Sequence, residues 1–586
     1  MTPTHVQAPI QAILRPGSLA LREADVELRL PAGALAAGGT LALPAWTPGS
    51  YMVRDHARLL DRFRAVDGAG QPLETPKLDK QRWRLPATSG PVIVRYRLLC
   101  DDFTVRTNHL DAAHAQFIGA ATFLRLEGQE DRPWTVRFEG WPSDWKVAAA
   151  LPESAGVFES RDYDTLVDSP FELGTFERRA FEAKGTRFEL VVTGPHRVDL
   201  DRVVEGTRRI VAVCADLFGG FPFDRYVFLL TFTPGGRGGL EHRDSTSLLA
   251  DPHKAATPEG FQDLLLLVAH EFFHAWNVKR LRAPELGPFD YGRECPTTLL
   301  WFHEGGTSFM QYLILMRAGL VPWSWCARKL EALWTEYTRR PGRLEQSLEA
   351  SSWDAWIRFY KPDAFAPNTT VSYYDKGALV AWMMDARIRL ASGGACGLEA
   401  LFQRLWEHFG DGAVADADLR GAYEALAGEP AGPFWDAWIS GTAELDPVSI
   451  EAAYGLHFER LLPGAPERPT PFTGVVLAGE APVVANVLPG SPAEHAGLSF
   501  GMELMAVDGW RTPKAADVQA RMKEGEPGRA LVVLASDRGR IHTFELVPVE
   551  DIQGEYRIQP REICSQAQAT AFQGLAGQPH PAAVAP

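Results

Sequence analysis

Cysteine is scarce: six residues in 586, at Cys100, Cys214, Cys295, Cys326, Cys396 and Cys564, with no C-x-x-C pair among them. That scatter argues against a disulfide framework and a thiolate metal site, and it suits the reduced thiols of a cytosol. No run of eighteen apolar residues occurs, so no membrane span is expected. The first thirty residues lack a basic stretch followed by an apolar one, so no secretory leader is expected and the reading is cytoplasmic. Positive charge is also short, 59 Lys and Arg against 74 Asp and Glu, and a net charge of −15 argues against a nucleic-acid surface. With 46% hydrophobic and 23% charged residues the composition is that of a globular protein. At this length roughly three or four domains are expected.

Against these absences one stretch stands out, His270-Glu271-Phe272-Phe273-His274. The spacing predicts one long helix over residues 257–278, because Thr257 can cap it, Pro258 is tolerated at the first position and Glu259 suits the positive end of the dipole. Leu264 to Val268 are apolar on every side, which predicts a buried helix. Four residues apart, His270 and His274 share a face and can hold one ion, with Glu271 beside them to take a proton from water. This is the H-E-x-x-H pattern of a zinc peptidase.

Residues 10–195 read as strands. Val92-Ile93-Val94-Arg95-Tyr96-Arg97-Leu98, Trp134-Thr135-Val136-Arg137-Phe138 and Arg187-Phe188-Glu189-Leu190-Val191-Val192 are bounded by Pro and Gly. Within them Pro44-Ala45-Trp46-Thr47-Pro48-Gly49-Ser50-Tyr51 reads as an ordered loop. A helix near 202–218, a buried strand at 226–232 and a glycine-rich edge, Gly238-Gly239-Leu240-Glu241-His242, follow. Such an edge admits a close backbone approach and sets Glu241 beside it. Helices are expected at 297–305, 377–390 and 398–408, a linker at 463–471, a compact strand and helix pattern at 483–509, and a disordered tail over 565–586.

A catalytic zinc takes three protein ligands and keeps one position for water. Beyond His270 and His274 the rivals are Glu294, among loop residues, and Glu304, on an apolar helix able to hold a carboxylate rigidly; Glu304 is preferred. The tetrahedral oxyanion of peptide hydrolysis needs a further donor. Tyr374 is the candidate, although a tyrosine at a helix start commonly serves packing. Lys279, Arg280 and Arg282 can bind a carboxylate, but basic residues at a helix C-terminus more often complement the dipole.

The stretch from His270 through Ala275-Trp276-Asn277-Val278-Lys279-Arg280-Leu281-Arg282 resembles the signature of the PDZ-containing glycyl aminopeptidases, peptidase family M61, gluzincins related to aminopeptidase N. Residues 44–55, 238–242, 301–305 and 434–442 are similar to further markers of that family. The resemblance implies His270, His274 and Glu304 as zinc ligands, Glu271 as general base and Tyr374 as oxyanion donor. It implies Glu241, with Gly238 and Gly239, as the grip on a substrate's α-amino group, and a preference for N-terminal Gly or Ala in peptides with a free N-terminus. The fold implied is multidomain α+β: an N-terminal β-rich domain (1–196), a thermolysin-like catalytic core (197–320), a helical domain (321–463), a PDZ domain (464–552) and a tail (553–586). Gly306 and Phe309 depart from the pattern, where a bulky residue and Tyr are common. The text from Pro489 to Gly509 resembles bacterial protease PDZ domains, with Phe472-Thr473-Gly474-Val475 as a loop for a ligand's C-terminal carboxylate. A zinc endopeptidase and a PDZ scaffold with an inert peptidase core are the rival readings.

Overall fold

The computed structural model describes residues 7–465 and 468–584; of the expected linker at 463–471, Pro466 and Glu467 lie outside the described residues, as do residues 1–6, where the leader reading begins, and the last two of the tail. The chain divides into two compact units, Met1–Cys295 with Met310–Leu320 and Gln403–Ala415, and Pro296–Phe309 with Val321–Phe402 and Asp416–Pro586.

The first unit opens with the expected β-rich region. Strands β1 (Ile10–Ser18), β2 (Glu23–Leu30), β3 (Leu60–Asp67), β4 (Pro72–Leu73), β5 (Val92–Leu99), β6 (Trp134–Phe138), β7 (Glu153–Ser154) and β8 (Val157–Ser160) form one sheet in the order β7-β8-β6-β1-β2-β5-β3-β4. Alternation fixes its faces. On β5, Val92, Val94, Tyr96 and Leu98 are buried. Arg95 and Arg97 lie on the other face, directly opposite Glu27 and Asp25 of β2, and pair with them at 2.8 and 2.7 Å. Two smaller sheets, of three and four strands, complete the region.

Strands β9 (Glu177–Ala183), β10 (Thr186–Thr193), β11 (Arg225–Phe232), β12 (Arg237–Glu241) and β13 (Ser245–Ala250) form a second sheet, ordered β9-β10-β11-β13-β12. Helix α1 (Leu200–Phe218), capped by Asp199 and stopped at Gly219 with φ 73°, is the crossover between the parallel strands β10 and β11. The domain boundary expected at 196 is therefore displaced. The hairpin β9-β10 reads like the strands before it, but β10 pairs with β11 over seven residues and belongs to the second sheet. The glycine-rich β12 is an edge, antiparallel to β13. Helix α2 (Pro258–Phe273) completes the part that matters for the site.

The second unit is mainly helical. A π-helical turn, Trp301–Gly306, runs without a break into α3 (Thr307–Arg317), which is counted with the first unit from Met310 on; α4 (Trp323–Arg339), α5 (Asp375–Ala391), the start of α6 (Leu398–Phe409, first unit from Gln403) and α7 (Asp416–Ala427) follow. Strand β14 (Leu456–Leu461) leaves this region and β21 (Glu555–Pro560) re-enters it antiparallel to β14. The segment between them is an inserted module. Its strands are β15 (Val475–Leu477), β16 (Val484–Val487), β17 (Glu503–Val507), β18 (Trp510–Arg511), β19 (Leu531–Asp537) and β20 (Arg540–Leu546), paired as β15-β16 and β18-β17-β19-β20. Helix α8 (Ala515–Glu524) covers a core of its own that includes Leu504, Val518, Val533 and Leu546. Asn368 ties the module to the helices through reciprocal amide bonds with Asn486 at 3.1 and 2.9 Å and a bond to the Val487 carbonyl at 2.8 Å.

The tail expected to be disordered instead forms α9 (Gln566–Ala576). Ser565 and Gln568 make a capping box, and Phe572, buried, meets Trp323 edge to face at 5.2 Å. Alanine and glutamine that look like low complexity are good helix formers once one aromatic anchors them. Among the described residues no helix is long and apolar enough to cross a membrane.

Candidate functional site

Helix α2 begins as the sequence predicts: the Thr257 hydroxyl accepts from the Gly260 amide at 3.1 Å and Pro258 follows it. It ends at Phe273, five residues before the expected end, with His274 as the cap. Beyond it the chain closes into a turn in which the Lys279 amide bonds the His274 carbonyl at 3.1 Å, the Leu281 amide bonds the Trp276 carbonyl at 2.8 Å and Val278 takes φ 96°. The turn has a use. His274 Nδ1 donates to the Asn277 carbonyl at 2.8 Å, and His270 Nδ1 donates to Gln311 Oε1 at 3.1 Å. Both rings are thereby held with Nε2 free of its proton, and the two Nε2 atoms face each other at 3.2 Å. Two ligands of a tetrahedral zinc stand about 3.3 Å apart, from bond lengths of about 2.0–2.1 Å. The donor pair therefore fits one such ion.

The edge strand lies against this helix. A Cβ on Gly239 would fall 2.2 Å from Glu271 Oε1, so glycine is required there for the carboxylate to lie over the strand. Glu241, 3% exposed, turns the same way, and carboxylate oxygens of Glu241 and Glu271 and a ring nitrogen of His274 lie within 4.8 Å of one another. Glu241 Oε1 is buried without a hydrogen-bond partner. The loop from Pro44 to Tyr51 proves to be part of this place. Gly49, at φ 89°, sits so close that a Cβ would meet Glu241 Oε1 at 2.5 Å. The loop is pinned by the Trp46 indole on the Asp290 carbonyl at 2.9 Å and by the Thr47 hydroxyl on the Arg106 carbonyl at 3.0 Å. Trp46, Gly49, Tyr51, Val278, Lys279, Leu286 and Phe289 line a small cavity beside Glu241, of about 10 Å³.

One buried group here had no sequence signal. Asp168 takes Lys279 Nζ at 2.6 Å, His242 Nδ1 at 3.2 Å and the Arg243 amide at 2.7 Å. Burial pushes its carboxyl up, but Lys279 and His242 outweigh that and hold it well below the usual carboxylate range. Lys279 is thus a strut rather than a ligand for substrate. Arg280 bonds the Ala275 carbonyl at 2.8 Å and Asp244 at 2.8 Å, in keeping with the expected role at a helix end. Arg282 lies over the Phe289 ring at 6.0 Å. Glu294, the rival third ligand, is exposed and joins no group of candidate ligand atoms with His270 and His274.

In the second unit Glu304 lies in the π-helical turn, 2% exposed. The next residue explains the local sequence. A Cβ on Gly305 would stand 2.5 Å from the Gly377 Cα, and one on Gly377 2.8 Å from the Trp301 carbonyl, so the two helices touch backbone to backbone. Tyr374, at the start of α5, is thereby brought beside Glu304. Burial first, then the Glu304 carboxylate, push its phenol well above the usual range, so it stays a proton donor. Tyr360 holds the Tyr374 hydroxyl at 3.1 Å. Gly306, where a bulky residue was expected, has the Phe402 ring 3.3 Å from its missing Cβ, and Phe402 stacks on Phe302 at 4.9 Å. The space is filled from α6 instead. His303 packs beside Phe302.

Comparison with known proteins bears on this geometry. The model of the peptidase M61 N-terminal domain matches residues 18–175, which ends before β9, and the model of the M61 glycyl aminopeptidase matches residues 263–380. No curated protein matches the sequence. Among solved structures, an aminopeptidase N family protein from Idiomarina loihiensis is similar, at 28% identity over 97% of this chain and 100% of that one, with a TM-score of 0.90. An M1 zinc metallopeptidase from Deinococcus radiodurans gives 14% identity over 76% and 97% of the two chains and a TM-score of 0.47. A mutant of that enzyme bound to a Tyr-Ser-Ala substrate gives 15% over 75% and 95%, at 0.46. Residues 18–175 and 263–380 thus match the N-terminal and glycyl aminopeptidase domains of peptidase family M61, the chain is similar along its length to an aminopeptidase N family protein, and it is a metallo-aminopeptidase.

Proposed function

We propose that the protein is a zinc aminopeptidase that removes a small N-terminal residue, Gly or Ala, from peptides, with His270, His274 and Glu304 as the metal ligands. The observation that carries this reading is the facing pair of Nε2 atoms at 3.2 Å with Glu271 and Glu241, whose buried Oε1 makes no hydrogen bond, beside His274. Support for Glu304 comes from the helix itself. Glu304 is 2% exposed in its π-helical turn, beside Tyr374, where a carboxylate is held rigidly.

A bound zinc supplies Lewis acidity for attack of water on a peptide carbonyl. Glu271, over Gly239, receives the proton of that water and passes it to the leaving amine. Tyr374 donates a hydrogen bond to the oxygen that gains negative charge. Glu241 holds the α-ammonium, which sets the first peptide bond, and no later one, at the reacting position. The glycines at 238 and 239 allow the substrate backbone to lie against the strand. The preference for small residues is supported by the cavity beside Glu241, whose room of about 10 Å³ takes a single water or methyl-sized group. For the inserted module we take the PDZ reading, a site for a peptide or protein C-terminus, from its Phe472-Thr473-Gly474-Val475 loop and helix α8.

The test is metal analysis of the purified protein together with hydrolysis of Gly-, Ala- and Leu-arylamides before and after chelation. One zinc per chain, activity lost on chelation and restored by zinc, and Gly and Ala favoured over Leu by about tenfold or more are expected, since a pocket mismatch of one or more methylenes costs about 1–3 kcal/mol. Cleavage of acetylated peptides as fast as free ones would point to an endopeptidase.

A further inference from the structure

Read from its C-terminal end, strand β12 presents Glu241, then Gly239 beneath Glu271, then Gly238. A third charged group stands over the far end. Arg106 comes from a loop of the β-rich region and is half-buried. Its Nη2 donates to the Gly239 carbonyl at 3.4 Å, and its Nη1 lies 3.9 Å from where a Cβ on Gly238 would be. The loop is fixed by the Arg106 amide on the Thr104 hydroxyl at 3.1 Å and by the bond from Thr47 to the Arg106 carbonyl. Among the described residues no carboxylate pairs with this guanidinium, and its Nε is buried with no acceptor. A half-buried arginine with one long bond to a carbonyl, a buried Nε without an acceptor and no carboxylate beside a glycine edge is suited to a carboxylate arriving from outside.

The spacing gives the length of that ligand. Arg106 reaches the strand from the Gly239 carbonyl to Gly238, two to three residues from Glu241, about 7–10 Å. A tripeptide laid extended and antiparallel against β12 spans about the same distance between its ammonium and its carboxylate, and a dipeptide is shorter by one residue, about 3.4 Å, which a flexible arginine can cover. The polarity agrees as well, with the amino end at the acid and the carboxyl end at the base. Resting on the amine-anchor reading of Glu241 above, we infer that Arg106 binds the C-terminal carboxylate of the substrate, and that the substrates are di- and tripeptides. Two oppositely charged ends then act as a ruler across Glu271, and longer chains must give up the second contact.

The experiment compares triglycine with triglycine amide, alongside Gly-p-nitroanilide, which has no carboxylate. The wild-type protein is expected to favour the acid over the amide by about tenfold or more in kcat/KM, mainly through KM, as a charge-assisted contact requires. Arg106→Met should bring that ratio close to one, and Arg106→Lys should restore part of it. Calorimetric titration of the same two peptides into Glu271→Gln protein reads the ratio without turnover. An acid-to-amide ratio near one in the wild-type protein, or one that Arg106→Met leaves unaltered, overturns the assignment. Failure of the aminopeptidase reading would show separately, as no hydrolysis of Gly-p-nitroanilide by the wild-type protein.

Discussion

Asp168 and Glu241 are carboxylates of the same unit, the first bonded to the His242 ring and the second next to His242 in sequence, and their surroundings are opposite. Asp168, with its side chain 11% exposed, is met by an ammonium, an imidazole and a backbone amide. Glu241, 3% exposed, keeps Oε1 with no hydrogen-bond partner, between Gly49, a small cavity and the Glu271 and His274 side chains. A buried charge that is fully paired belongs to the framework, because its partners already offset the cost of removing it from water. One left unpaired carries that cost until a ligand cation arrives, and this is the arrangement expected where an amine must be bound. The first acid holds the strand end rigid and the second uses that rigidity.

The comparison is broken most strongly from the Asp168 side. Lys279→Met leaves Asp168 buried against a neutral side chain, and the expected loss is about 3–5 kcal/mol, the usual cost of removing one partner of a buried pair. Chemical denaturation followed by circular dichroism measures it. A loss below about 1 kcal/mol would mean that His242 and the Arg243 amide satisfy Asp168 by themselves. The pair Asp168→Asn with Lys279→Met should cost less than the sum of the single changes, since the two share one interaction.

Glu241→Gln sharpens it from the other side. Stability should hold or rise slightly, because a charge without a partner has been removed. The value of kcat/KM on Gly-arylamide should fall by about 100- to 1000-fold, about 2.7–4 kcal/mol of transition-state binding. Equal losses of stability in the two experiments would erase the distinction between framework acid and binding acid.

How much of this could be read beforehand follows the range of the interactions. Helix α2, its cap and the facing histidines are local features, set by spacings of three and four residues, and the strand at 134–138 follows from alternation. The Asp168–Lys279 pair joins residues 111 apart and leaves no mark in either neighbourhood. Gly49 shows the same limit: its turn was legible, but the acid it touches lies on another element far along the chain. The boundary at 196 went wrong because β9 and β10 alternate like the strands before them, and the partner that claims β10 comes after a helix of 19 residues. In the tail the signal was present, a serine followed three residues later by a glutamine and then Phe572 and Leu575 on one face, but composition outweighed it. Glu304 is preferred to Glu294 for its place on an apolar helix, the family resemblance implies the same residue, and Glu304 is buried where Glu294 is exposed.

The smallest effect is in the pH dependence, and its sign follows from Asp168. Its carboxyl is held below the ordinary value by Lys279 and His242, against the upward push of burial. The folded state therefore binds fewer protons than the unfolded chain at mildly acid pH. The stabilisation is complete above the unfolded carboxylate value of about 3.9 and is lost as the pH falls below it toward the depressed folded value. Wild type and Asp168→Asn should thus differ most in unfolding free energy above about pH 5, and the gap should narrow steadily below about pH 4. A gap that stayed constant from pH 7 to pH 3 would show that ionisation of the carboxylate contributes nothing to stability over that range. In that case the contrast with Glu241 would come down to hydrogen bonding alone.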